Sequence, residues 1–299
     1  MAILEKIKKL IGNEDAAKGG QATHRIMKAP SEITSDSISY FEMDGYFLSL
    51  DEPIRYSYVH CCACPVNRGV MVYLKYRDVL QMGQQTETVT QLKIVESGVL
   101  KVLDEIVKKY EFVKNNGVTH TVAGLPTGIG GRVDIKYVNG EFIYKSDNQA
   151  PVIPPASAVE IVDSVVEYMQ QHTIPTTSCD EIQSIDFIAR TNENSYHSCH
   201  IENNHLSVES KYQKGGDIIR KEKDIDPQQI EEIIQIIRDN LYLDCQTFHT
   251  KEKRTDVITL NIRLKNGGKK VVDSNMQLPS DIINKMYEIE RRIFVFEQY

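Results

Sequence analysis

The 299-residue chain has no tryptophan, only six cysteines and no long apolar run. A membrane-spanning helix needs an apolar run of roughly 18 residues, so no span is expected. Cysteine is too sparse for a disulfide-stapled scaffold. An excess of basic residues is missing too: 35 Lys and Arg stand against 42 Asp and Glu, a formal charge of −7. Without a basic stripe to grip a phosphate backbone, nucleic acid is not an expected partner. The opening segment MAILEKIKKL has neither a long apolar block nor a small-residue cleavage site. That predicts a cytoplasmic chain whose thiols stay reduced. Catalytic signatures are absent as well: there is no Gly-x-Ser-x-Gly, no His-Glu-x-x-His and no Asp-rich calcium loop.

What is present supports folding. A hydrophobic share of 41% can build a packed core, and the length suits two domains. Two segments end alike, Val133–Val152 and Leu260–Ser280. Aligning Asn139-Gly140 with Asn266-Gly267 puts Ile135 on Ile262, Lys136 on Arg263 and Tyr137 on Leu264. With one extra residue in the second hairpin, Ser146, Gln149 and Pro151 fall on Ser274, Gln277 and Pro279. Each Asn-Gly predicts a two-residue hairpin turn, because both central residues then need positive φ. Upstream, Leu100, Leu103, Ile106 and Val107 match Ile230, Ile233, Ile236 and Ile237 in spacing, while Ile38 can be laid on Ile185. The order of elements is the stronger argument for duplication: strands, helix, hairpin, helix, twice over.

The expected fold is therefore α+β, two tandem repeats, each an antiparallel sheet with helices on one face. The expected segments are an N-terminal amphipathic helix and tether (1–32), a first domain (33–172), a linker (173–180) and a second domain (181–299). Strands are predicted at Ile38–Ser49, Ile54–His60, Val70–Tyr76 and Thr88–Ile94, then Ile182–Arg190, Ser195–Glu202, Leu206–Tyr212 and Asp217–Lys221. Helices are predicted at Glu96–Glu111, from an N-cap at Ser157 with Val159, Val162, Val166 and Met169 inward, after Asp226-Pro227, and from Ser280.

The sharpest local feature is His60-Cys61-Cys62-Ala63-Cys64-Pro65, read as a turn with buried thiols. Cys61 and Cys64 have Cys-x-x-Cys spacing, but no helix follows to lower a thiol pKa. A zinc site needs about four ligands. His60, Cys61, Cys62 and Cys64 would require completion by His197, Cys199 and His200, which lie on a comparable strand of the second half. Zinc is thus the one cofactor the sequence raises, with thiol chemistry at the same turn. Gly124–Arg132 is Gly-rich but lacks a P-loop ending and precedes a strand, so it reads as a turning loop.

Two features point to contacts with other proteins. Tyr40, Tyr56, Tyr58 and Tyr73 crowd the first predicted sheet, whose uncovered face would carry them toward a partner. Ile3, Ile7 and Leu10 form an apolar stripe beside Lys6, Lys8 and Lys9. Such a short basic helix docks on its own domain or a partner, and touches a membrane surface only weakly. In its start, Met1–Ile11, and its hairpins, Asp134–Ser146 and Asn261–Pro279, the chain resembles uncharacterised bacterial cytosolic proteins of strand-rich, helix, hairpin, helix plan. That resemblance carries no activity. The expectation is a non-catalytic protein that binds an unidentified protein or itself. The alternatives are metal or thiol function at His60–Cys64, and an enzyme with a site between the two domains.

Overall fold

The computed structural model describes residues 22–26, 28–47, 54–79, 88–123, 130–192, 195–212, 216–245, 257–276 and 278–298. Ile3, Ile7, Leu10 and the helix expected around them lie outside these residues. So do most of the Gly-rich loop and its charged counterpart before Val257.

The described residues form a mixed α+β fold with two sheets and four helices. The first sheet contains β1 (Ala22–Ile26), β2 (Ile38–Tyr46), β3 (Tyr56–Val66), β4 (Gly69–Asp78), β5 (Thr88–Val95), β6 (Val118–Val122), β7 (Gly130–Tyr137) and β8 (Phe142–Asp147). Their spatial order is β1-β6-β8-β7-β2-β3-β4-β5. The second contains β9 (Ile182–Asn192), β10 (Ser195–Glu202), β11 (His205–Lys211), β12 (Ile219–Asp224), β13 (Val257–Leu264) and β14 (Lys269–Asp273), in the order β12-β11-β10-β9-β13-β14. Helices α1 (Gly98–Lys109), α2 (Pro155–Gln171), α3 (Pro227–Asp239) and α4 (Ser280–Gln298) complete the fold. Two compact units make up the chain: Met1–Ala63 with Tyr73–Gln91 and Gly98–Tyr168, and Cys64–Val72 with Leu92–Ser97 and Met169–Tyr299.

Read from its hairpin edge, the second sheet runs β14-β13-β9-β10-β11-β12. The first, without β1 and β6, runs β8-β7-β2-β3-β4-β5, so strands at the same place in each half occupy the same place in each sheet. The hairpins agree atom for atom in their turns. Gly140 N donates to Tyr137 O and Tyr137 N to Glu141 O; Gly267 N donates to Leu264 O and Leu264 N to Gly268 O. Asn139 Oδ1 accepts from Glu141 N, and Asn266 Oδ1 from Gly268 N. Only the glycines have positive φ, +87° and +82°. The connection is therefore a three-residue loop with a glycine bulge, not the expected two-residue turn. The helix ends agree as well. Glu111 (φ 52°) and Leu241 (φ 54°) take the left-handed conformation after α1 and α3, and each is followed by a buried aromatic, Phe112 or Tyr242.

Several expectations need correction. His60–Cys64 is not a turn: it is the middle of β3, and the chain reverses at Asn67-Arg68. The first sheet is not purely antiparallel, since β6 pairs with β8 in parallel. β1 occupies part of the expected tether. The extra residue of the second hairpin falls after the strands, because Arg132 faces Ser146 as Thr259 faces Asp273, so Ser146 corresponds to Asp273. Ile185 faces Ile262 as Phe41 faces Ile135, so the partner of Ile185 is Phe41 and not Ile38. Ser157 is not the cap of α2. The helix starts at Pro155, Ser157 donates to Pro154 O at 2.7 Å, and the inward residues are Ala158, Ile161, Val162, Val165 and Met169. By contrast, Asp226 caps α3 in a full capping box with Gln229, and α4 starts at Ser280 as expected.

Alternation sorts each sheet into two faces. Phe41, Met43, Val59, Cys61, Val133, Ile135 and Ile143 are fully buried on one face of the first sheet, and α1 packs against β2. Ile185, Phe187, Leu260 and Ile262 do the same in the second. Within the second unit, Arg68 Nη2 donates to Pro175 O (3.0 Å), Thr177 Oγ1 (3.1 Å) and buried Asp244 Oδ1 (3.1 Å). Residues 172–174 also lie along β5: Ile174 N donates to Ile94 O at 2.8 Å, Glu96 N donates to His172 O at 3.1 Å, and Val95 bridges Thr173.

Two predictions follow from these local structures. A Cβ at Gly140 or Gly267 would meet nothing within 4 Å, so alanine there costs only the positive φ, about 1 kcal/mol per site in urea unfolding. Lys145 is buried, with Nζ 3.4 Å from Lys114 O and 5.4 Å from the Phe112 ring centre. Burial lowers its pKa from 10.5 to about 8. The folded state thus disfavours the proton, a cost fully present below pH 8 and relieved as pH rises toward 10.5. Lys145→Met should stabilise the protein by about 2 kcal/mol at neutral pH, and that gain should shrink in alkaline unfolding experiments.

Candidate functional site

Along β3, His60, Cys62 and Cys64 point to one side and Cys61 to the other, because successive side chains alternate. The Cys-x-x-Cys pair therefore cannot converge, and all four residues are buried. Burial alone pushes the Cys61 thiol up to about 12, so it is an inert thiol. His197, Cys199 and His200 lie in β10. Registers place Cys61 opposite Met43 and Cys199 opposite Phe187, the same position in each half. Among the described residues, no three His, Cys, Asp or Glu side chains stand together as metal ligands.

Tyr40, Tyr56 and Tyr73 are 4%, 2% and 3% exposed, so these three do not form an open face. Tyr56 donates to Asp163 Oδ1 at 3.2 Å and meets Tyr76 edge-on. Tyr73 packs edge-on against His60, and half-buried Tyr58 lies 4.7 Å from exposed Tyr46. Tyr40, Tyr56 and Tyr73 are packed within the fold.

The most concentrated chemistry is a row on the face opposite Phe41 and Met43, where His60 and Tyr40 meet Glu42 and Arg132, two residues the sequence pattern did not single out. Glu42 is 6% exposed. Its Oε2 accepts from the Tyr40 hydroxyl at 2.9 Å and pairs with Arg132 Nη2 at 2.8 Å. His60 Nε2 stands 3.3 Å from Oε1. The register explains the meeting: Glu42 lies on the middle strand, Arg132 on β7 to one side and His60 on β3 to the other. Burial pushes the Glu42 carboxyl up, but His60, Arg132 and Tyr40 outweigh it and hold it below its ordinary range. Burial, Cys62 and Glu42 push the Tyr40 phenol well up. Burial and nearby Glu42 also raise Asp134 against the pull of Lys136 and Arg132. A carboxylate occupied by three donors is a poor base and a strong tie, and it fastens β7, β2 and β3 in one register. The second half has a two-strand pair at this place, with Thr259 standing where Arg132 does and His200 where Cys62 does. Asp186 occupies the position of Glu42, and its Oδ1 lies 2.6 Å from His200 Nδ1.

The accessible chemistry lies on the β11–β12 hairpin. Tyr212, Ile218 and Ile219 are 67%, 45% and 49% exposed. β12 ends the second sheet, paired only with β11 among the described residues. Arg220 Nε donates to Glu209 Oε2 at 2.8 Å on one face. On the other, Lys221 faces Val208 and Lys223 faces Leu206. These four residues and Glu222 line a cleft of about 300 Å³. Sequence reading missed this edge, because a strand of mixed charge looks like any solvated segment until its place at the end of the sheet is known.

No family model matches the chain, and no curated protein matches it. Among the described residues, no helix is long and apolar enough to cross a membrane.

Glu42→Gln should lower stability by about 3 kcal/mol at pH 7, since it leaves Arg132 and His60 without a charged acceptor. A depressed carboxyl pKa contributes stability above its unfolded value and loses it as pH falls through the folded one. The difference from wild type should therefore vanish in strong acid, as read by denaturant titrations across pH.

Proposed function

We propose that this is a cytoplasmic, non-catalytic protein-binding scaffold made of one α+β unit written twice. The duplication is supported by the matching strand order, the identical hairpin bonding and the paired left-handed helix ends. The interaction reading is carried by one observation: exposed Tyr212, Ile218 and Ile219 lie close in sequence beside β12, which ends its sheet among the described residues. Apolar groups gathered at a strand edge are a recognition surface, whereas scattered ones are ordinary.

The test is site-specific photocrosslinking from position 212 of the full chain in its native cytosol, with Tyr287 as an exposed control position. We expect one protein to be crosslinked reproducibly from 212 and not from 287, and lost with Ile218→Asp/Ile219→Asp. Equal labelling from both positions, or none from 212, would overturn the reading.

A further inference from the structure

The edge of this unit is already used once. In the first sheet, the terminal strand β5 receives residues 172–174 as an added extended segment, through Ile174 N to Ile94 O and Glu96 N to His172 O. In the second sheet β12 holds the corresponding place, and no strand follows it among the described residues. From this, and resting on the interaction reading above, we infer that β12 takes up an acidic extended segment of a partner protein by strand addition.

The sign of the partner comes from alternation. Lys221 and Lys223 share a face with Leu206 and Val208, and these four line the cleft with Glu222, whose side chain is turned by alternation to the other face. A strand added to β12 sets every second side chain beside that row. Acidic residues at those places meet lysines, and the lysine stems lie over an apolar floor. The other face carries mixed charge, Arg220 with Glu222 and Asp224, and sets no sign. A second copy of this chain is a poor occupant. Two-fold antiparallel pairing keeps the faces aligned, so any register overlapping more than one residue pair within Ile219–Asp224 sets like charges opposite, such as Lys221 against Lys221 or Arg220 against Arg220. Main-chain bonding supplies the affinity and the lysine row supplies the selection.

The probes are peptides of about six residues, one alternating Glu and Val, one alternating Lys and Val, and the first N-methylated at alternate residues in both phases. Each is titrated onto the full-length chain, with anisotropy for affinity and amide hydrogen exchange for location. We expect the Glu/Val peptide to bind about tenfold tighter than the Lys/Val peptide and to slow exchange in Ile219–Asp224. Lys221→Glu/Lys223→Glu should reverse that preference, which also shows that the variant is folded. At least one N-methylated phase should fail to bind. Equal binding of both signs, protection elsewhere, or a concentration-dependent dimer abolished by Lys221→Glu would overturn the inference. If crosslinking from 212 finds a partner while the Glu/Val peptide leaves β12 unprotected, the acidic strand is wrong and the scaffold reading stands. If neither occurs, both fall.

Discussion

Both sheets depend on the register of a middle strand. β2 is paired on one side with β7 and on the other with β3, and β9 in the same way with β13 and β10. A slip of one residue would turn Phe41 and Met43 out of the core and drive Glu42 into it. Burial of the apolar row makes that slip costly, and the Glu42 tie adds a second penalty on the opposite face. Arg132 and His60 can reach Glu42 together only when all three strands are in step. The first half uses a nearly buried carboxylate, while Asp186 and His200 remain partly exposed. The tie across three strands thus belongs to the first half, while the second links only β9 and β10 at this place.

This arrangement explains why the ionisable residues look catalytic in isolation. A histidine, a tyrosine, a thiol and a glutamate lie side by side on neighbouring strands. Yet Glu42 is spent on three donors, and the Tyr40 proton is held more tightly than usual. A reactive group needs a shifted pKa in the direction of its task and an opening to substrate. Here the shift of the Tyr40 phenol runs away from reactivity, and Tyr40, Glu42, His60 and Cys62 are all buried.

The legible part of the sequence was local. Asn-Gly pairs, Asp226-Pro227, Ser280 and the apolar spacing of α1 and α4 marked their elements, since each depends on neighbours within a turn or two. The α2 stripe was misjudged because Val159 and Val166 share its apolar composition with Ile161 and Val165, and only packing selects between them. His60–Cys64 looked like a turn through its small residues and Pro65, but β-pairing on both sides overrode composition. Glu42, Arg132 and His60 are separated widely along the chain, so their meeting depends on strand order, which no local pattern contains. β1 and β6 escaped for the same reason: two short polar strands are secured by each other and by β8.

The Arg68 to Asp244 contact joins groups 176 residues apart, both within a unit that takes Cys64–Val72 from early in the chain and Met169–Tyr299 from its end. A ribosome adding roughly 5–20 residues per second leaves Arg68 without Asp244 for about 9–35 s. During that interval Val70, Met71 and Val72, all buried at the end of folding, have their neighbours β3 and β5 but not the late part of their unit. Vectorial synthesis therefore makes this segment wait for the residues that complete its unit, and slow codons between the two segments would lengthen the wait.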